Sequence, residues 1–365
     1  MSMNTTSETE IELKFLFGQV IEPKAVSEFL YLQGLSFKQA GAKLKNNYFD
    51  TPGLDLARND IGLRIRSSEG LCEQTVKTAG RVLSGLHQRP EYNVALVNNE
   101  KLPVLSLFPS DIWYALDIAQ IQQELTAVFS TDFYRTSWEI MCKEGIVLEL
   151  VLDAGTIESR GKQEIIAEFE LELLSGESAL AMAQLFDLAN LLVGHFKLRP
   201  GVNSKAARGY ALWLGKGPDK PETFFRQNLL PLALADRESF YLQLDFALAQ
   251  LQLGVEYCLS SPGAERVKVF SEPLLFLEQI FREASESFAS SRPELAAQFE
   301  QVIGLYRALE QQLHRASCGK QTAAGYGRLL QEFCYQGAFN HLQLALLELL
   351  IDRECLPDGV KAWRE

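Results

Sequence analysis

The chain is poor in the residues that build several common kinds of site. Its six cysteines, at 72, 142, 258, 318, 334 and 355, include no Cys-x-x-Cys pair. They fit neither a zinc module nor a disulfide framework in a chain of 365 residues. The four histidines are scattered, no Ser–His or Cys–His arrangement is visible, and no GxxxxGK[ST] loop cradles phosphate. Basic residues are in deficit: 35 Lys+Arg stand against 47 Asp+Glu, a formal charge of −12. That argues against a duplex nucleic-acid binder working through overall charge, but not against a local basic pocket. The first ten residues, MSMNTTSETE, carry no basic segment or apolar core, so no signal peptide is expected. The longest apolar run considered, Leu342–Ile351, is interrupted by Gln343 and Glu348 and is not expected to span a bilayer. These absences point to a reducing cytoplasm, with neither nucleic acid nor membrane as partner.

What is present suits a globular protein. Apolar residues make up 47% and charged residues 22%, ordinary for a packed chain. At roughly 150 residues per domain the length allows two domains. Residues 1–217 read as mostly β with a few helices, including Pro23–Gly34 and Gly176–Gly194. Residues 218–365 show helical spacing of Leu, Phe and Ala, as in Glu238–Leu259 and Gln321–Ile351. Two Gly and two Pro in the seven residues Gly215–Pro221 mark the linker.

The most informative pattern is charge at period two. A strand points alternate side chains to opposite faces. Glu10, Glu12 and Lys14 therefore share one face, as do Arg64 and Arg66, Glu73, Thr75 and Lys77, Arg89 and Glu91, Glu149 and Asp153, and Glu168, Glu170 and Glu172. Each segment alone is consistent with a solvated amphipathic strand. Together they are too consistently Glu, Arg and Lys for that. If the strands close into a barrel, the charges line its interior. Burying them for packing alone is costly. A chamber holding a polyanion with divalent metal uses both signs: Arg and Lys grip phosphate oxygens, and clustered carboxylates hold Mg²⁺ or Mn²⁺.

In this order, Glu10-x-Glu12-x-Lys14, Leu63-Arg64-Ile65-Arg66, Thr75-Val76-Lys77, Phe133-Tyr134-Arg135, Glu168-x-Glu170 and Ser204-Lys205-Ala206-Ala207-Arg208-Gly209 resemble the CYTH, or triphosphate tunnel metalloenzyme, superfamily. The resemblance covers residues 8–215. Ala79–Val82, Gly85–Asn93 and Phe129–Arg135 resemble its CYTH–CHAD branch, whose enterobacterial members are inorganic triphosphatases. The implied fold is α+β: a closed antiparallel β-barrel or tunnel with flanking helices over 1–217, followed by an all-α domain over 218–365. The implied activity is metal-dependent hydrolysis of tripolyphosphate to pyrophosphate and phosphate, with Mg²⁺ or Mn²⁺ as cofactor and a metal-activated water. Glu10, Glu12, Glu168 and Glu170 would hold metal. Lys14, Arg64, Arg66, Lys77, Arg89, Arg135 and Lys205 would bind the phosphate chain. Glu149, Asp153 and Glu172, with Lys205, would act on the water or hold a second metal. Class IV-type adenylate cyclase and a non-catalytic polyphosphate- or nucleotide-binding protein are the alternatives.

The helical half departs from the CHAD pattern. It is short, has no His-x-x-Arg-x-x-x-Arg-Arg run, and carries 14 Lys+Arg against 20 Asp+Glu from Asp219 onward. It reads as a short or degenerate CHAD-like bundle packing on the tunnel or on a second subunit, which makes a homodimer a candidate assembly. For other residues the expectations are structural. His87 lies in a loop with a structural or solvent role, His195 caps a helix, His314 and His341 are incidental, Tyr48 and Tyr134 pack, and Gly80 and Gly85 serve turns. On a regular strand Arg208 differs in parity from Lys205, which leaves its direction open.

Overall fold

The computed structural model describes residues 6–68, 70–96, 102–114, 116–175, 178–218, 220, 237–283, 293–318 and 323–352. Ten antiparallel strands form one sheet: β1 (Thr6–Leu16), β2 (Ser36–Asp50), β3 (Gly62–Ser68), β4 (Leu71–Lys77), β5 (Arg81–Leu83), β6 (Leu86–Leu96), β7 (Thr126–Met141), β8 (Val147–Ser159), β9 (Lys162–Ser175) and β10 (Arg199–Pro200). Eight of them run in the order β1-β9-β8-β7-β2-β3-β4-β6, and β6 pairs back onto β1. The sheet is therefore a closed eight-stranded barrel, with β5 and β10 as short additions. Closure leaves none of these eight strands with an unpaired edge.

The barrel is wrapped by apolar contacts on its outside. Ile11, Leu13 and Phe15 of β1, Leu150 and Leu152 of β8, and Phe169 and Leu171 of β9 belong to one buried cluster. That cluster also holds residues of the helices α3 (Ala179–Phe196), α5 (Arg237–Ser260), α6 (Ala264–Glu283), α7 (Pro293–Cys318), α8 (Ala323–Cys334) and α9 (Gly337–Asp352). A second cluster covers Leu63, Ile65, Val76 and Val94 with Leu105, Phe108, Trp113 and Ile121, the last from α2 (Ile118–Glu124). The alternation thus sends apolar side chains outward onto helices and the charged set inward. The short helix α1 (Pro23–Leu32) starts with proline in its first turn, where the missing N–H costs nothing.

Some sequence expectations change. Ser204–Gly209 is not a strand. Ser204 N-caps α4 (Lys205–Leu214), accepting from the Ala207 N–H, and Gly215 ends the helix at φ 66°. The parity argument for Arg208 therefore does not apply. The helical spacing over Gln321–Ile351 is two helices, α8 and α9, broken at Tyr335–Gln336, and Gln321 lies outside the described residues. Of the linker, Asp219 and Pro221 also lie outside them. By length and mean hydropathy it is α3, not the run at 342–351, that is long and apolar enough to cross a membrane. Its Leu185, Phe186, Leu188, Ala189, Leu192 and Val193 are buried, and it packs on β9 and α9, as a core helix does. Gly80 serves a close approach: a Cβ there would meet the Gln88 carbonyl oxygen at 2.3 Å. Gly85, at φ 100°, does serve a turn.

A buried ion pair ties the helices to the barrel. Arg199 of β10 donates to both carboxylate oxygens of Glu256 in α5, at 2.7 and 3.0 Å, and to the Tyr335 hydroxyl after α8. Removing one partner strands a buried charge, so Glu256→Ala is expected to lower stability by about 3 kcal/mol. Urea denaturation reads this, and a loss below about 1 kcal/mol would be the behaviour of an exposed pair instead.

Candidate functional site

The barrel encloses a cavity of about 1090 Å³ lined largely by charge. Glu10 and Glu12 come from β1, Arg64 and Arg66 from β3, Lys77 from β4, and His87, Arg89, Glu91 and Asn93 from β6. Arg135 comes from β7, Glu149 from β8, Glu170 and Glu172 from β9, and Lys205 from the first turn of α4. Period-two alternation accounts for every strand member. Of the residues named from sequence, Lys14, Asp153 and Glu168 lie just beyond this lining, at 1%, 0% and 0% exposure.

Strand register sorts the charges into two regions. In the first, acids and bases are matched. Lys14 bridges Glu168, at 2.7 Å, and Glu170. Lys205 reaches Asp153, Glu168 and Glu170 at 2.6, 2.5 and 2.9 Å. Arg135 grips Asp153 with two nitrogens, at 2.8 and 2.7 Å, and Glu170 at 2.7 Å. Arg208 joins from α4, at 2.7 Å from Glu168 and 2.6 Å from Glu164. Burial alone would raise the pKa values of these three buried acids. The neighbouring cations override it: Lys14 and Lys205 hold Glu168 low, Lys205 and Arg135 hold Asp153 low, and all three hold Glu170 well below the ordinary range.

The second region is unmatched. Glu149 of β8 stands opposite Glu172 of β9, and Glu172 stands opposite Glu12 of β1. Three carboxylates thus lie side by side across the ladder, where like charges destabilise the sheet. Burial, then Glu10 and Glu12, pushes Glu172 up to about 8. Burial, then Glu170 and Glu10, pushes Glu12 up to about 7. Burial likewise raises Glu149. Of the neighbouring acids, Glu10 is bound by Lys77, which also reaches Glu91 at 2.8 Å.

Arg64 and Arg66 form a cationic patch on the β3 side. Burial, then Arg64 and Arg135, lowers Arg66 to about 10. The Arg66 Nε donates to Asn46, and the Arg64 and Arg89 Nε atoms are buried without a partner among the described residues. Arg208, left open from sequence, faces the matched acids. Tyr48 packs as expected, stacked on Phe129 at 4.4 Å, but Tyr134 is 53% exposed on the outer face. His195 lies in the last turn of α3. His341 is not incidental, since its Nε2 contacts the Asn190 carbonyl oxygen of α3 at 3.1 Å. His87 is neither in a loop nor at the surface: it is the second residue of β6 and 2% exposed. Its parity with Arg89 and Glu91 was the available signal.

Two carboxylate groups could hold a cation. Ligand oxygens of Asp153, Glu168 and Glu170 lie within 4.8 Å of one another, but four basic side chains already neutralise them. Glu12, Glu149 and Glu172 have no salt bridge among the described residues, Glu10 beside them is held by Lys77, and their all-oxygen donor set suits a hard divalent cation.

The CYTH domain family model matches residues 8–210. An inorganic triphosphatase of Haemophilus influenzae is 34% identical over 224 residues, covering 58% of this chain and 59% of that protein. The match therefore spans about three-fifths of that relative's length. Among solved structures, the putative adenylyl cyclase HpAC1 from Hippeastrum, described as having a dominant triphosphatase activity, aligns at TM-score 0.38 and 20% identity over 57% of this chain and 96% of its own. The inorganic triphosphatase NE1496 aligns at TM-score 0.19 and 19% identity, over 47% and 78%. At such scores the family assignment rests on the sequence match alone.

The unmatched row has a consequence for stability. Its acids bind protons more tightly folded than unfolded, where they titrate near 4.5. Stability is then full below that value and falls as pH rises toward 7 to 8, the folded values of Glu12 and Glu172. Without metal, the melting temperature is expected to fall across this window, and Glu172→Gln to flatten the fall. An unchanged slope in the variant would remove the row as its cause.

Proposed function

The chain belongs to the CYTH domain family, and we propose that it hydrolyses inorganic triphosphate to pyrophosphate and phosphate inside the barrel, with Mg²⁺ or Mn²⁺ as cofactor. The observation that carries this reading is the sorting of one chamber's charge into an unmatched acidic row and a facing cationic patch. Six basic and seven acidic side chains line the cavity, so the wall has no net positive charge with which to hold a polyanion. A divalent cation on the acids changes that balance and leaves the bases free for phosphate. A pure anion binder gains nothing from the acidic row.

In this reading Glu10, Glu12 and Glu172 hold the cation, with Glu170 beside them. Glu168 remains within the matched cluster and is a positioning residue, as is Asp153, whose oxygens are occupied by Arg135 and Lys205. Bound metal supplies a water of lowered pKa and charge neutralisation. Arg64, Arg66, Lys77, Arg89, Arg135 and Lys205 bind and align the phosphate chain, and Lys14 supports Glu170 from behind. Phosphoryl transfer depends mainly on alignment and on stabilising charge at the leaving oxygen. Glu149, a carboxylate without a salt bridge among the described residues, orients the attacking water and accepts its proton. One bridging P–O bond breaks, the water oxygen forms the new P–O bond, and pyrophosphate leaves. We further assign residues 1–217 to the tunnel unit and 218–365 to a helical unit.

The direct test is phosphate release from tripolyphosphate, ATP, thiamine triphosphate and pyrophosphate with Mg²⁺, Mn²⁺ or EDTA, following cyclic AMP in the ATP reaction. Metal-dependent release from tripolyphosphate is expected, and Arg64→Ala should lower kcat/KM roughly 100-fold. Cyclic AMP formation would favour a cyclase. Full activity in folded Arg64→Ala would falsify the site assignment.

A further inference from the structure

One buried polar group in the chamber has no part in either charge region. His87 continues the acid row around the barrel: Glu149 faces Glu172, Glu172 faces Glu12, and Glu12 faces His87. Its ring lines the cavity. Both ring nitrogens are buried and, among the described residues, neither has a hydrogen-bond partner. A buried polar group left unbonded costs free energy that an apolar side chain of similar size would not. Packing alone therefore accounts for leucine at this position better than for histidine.

The surroundings say what the missing partner is. Burial, then Arg89 and Lys14, pushes the ring down to about 3, so it is neutral near pH 7. It offers one N–H donor and one acceptor among cations that grip anions. The hairpin that carries it is fixed from outside. The Ser84 hydroxyl donates to Asp245 at 2.9 Å, and Gln252 donates to the Ser84 carbonyl at 2.8 Å, both from α5. Ser84 and Gly85 form the tight turn two residues before the ring, at φ 45° and 100°.

We propose that His87 is a catalytic residue of the chamber, whose imidazole donates an N–H to a phosphoryl oxygen of the bound phosphate chain. It adds one N–H donor to those of the basic side chains. The proposal rests on the triphosphatase reading. It differs from it in assigning a phosphate contact to a residue outside the Arg, Lys and carboxylate set.

The test uses the full chain with nitrogen-15-labelled histidine, titrated in Mg²⁺ with tripolyphosphate whose bridging oxygens are replaced by NH to block hydrolysis. Only four histidines are present, and the His87 signals are identified by their loss in His87→Gln. They are expected to shift at saturation. His87→Leu should weaken binding of this analogue in calorimetry, and raise KM for tripolyphosphate in Mg²⁺ more than it lowers kcat, by roughly tenfold or more. His87→Gln keeps a side-chain N–H and should recover most of that loss. If the analogue binds while the His87 signals stay fixed, or if both variants lose affinity equally, the proposal is wrong and the triphosphatase reading stands. If the wild-type chain neither binds the analogue nor hydrolyses tripolyphosphate, both fall together.

Discussion

Closing the sheet removes the solvent side from half of every strand. In an open sheet the charged faces of β1, β3, β6 and β9 would rest in water at little cost. In the barrel they face one another across a chamber, and each charge must find an opposite charge, a hydrogen bond or an outside ligand. The apolar face is turned outward and becomes the core shared with the helices. The arrangement reverses that of a side-chain-filled barrel, whose stability comes from its interior.

Strand register then decides which charges are satisfied. Lys14 lies opposite Glu170, and Arg135 opposite Asp153, so the matched cluster follows from pairing alone. One pair further along β9, the same alternation places Glu172 against both Glu12 and Glu149, with no base interposed. The two regions share the same strands and residue types and differ only in what stands opposite. The matched cluster fixes Lys205 and Arg135 in place, because each is held by two or more carboxylates. Such preorganised cations need little rearrangement to meet an anion, which is how electrostatic catalysis gains over water. The acidic row is poised differently, since a cation relieves its repulsion.

This division marks the limit of what could be read from the chain. Alternation is local, so the inward set Glu10, Glu12, Arg64, Arg66, Lys77, Arg89, Glu149, Glu170 and Glu172 was legible, while barrel closure followed from the family resemblance those residues carry. The difference between Glu168, buried under three cations, and Glu172, facing two acids, depends on partners on other elements, with Lys14 and Glu12 more than a hundred residues away in sequence. No local pattern carries it. Lys205 was found, but on the wrong kind of element. Ser204 ahead of an alanine pair, with Gly215 after a run of helix formers, is a capping signal that outweighs strand parity. His87 was missed for the opposite reason: its parity matched Arg89, but its flanking glycine suggested a loop.

The helices gain a physical meaning from where they touch the barrel. Their acidic balance suits neither a polyanion platform nor a steering surface. Two of their polar contacts fall next to segments that position chamber residues. Asp245 and Gln252 of α5 hold the turn before His87 and Arg89. Glu256 of α5 and Tyr335 after α8 hold Arg199, whose strand leads into Gly201. The Gly201 N–H donates to the Lys14 carbonyl at 2.9 Å, and its Cα packs so closely that a Cβ would meet the Lys14 side chain at 3.1 Å. Hairpin turns and two-residue strands are the parts of a barrel least fixed by ladder hydrogen bonds. Helix α5 bears on both, so a barrel full of opposed charge is held in register where its own ladder is thinnest.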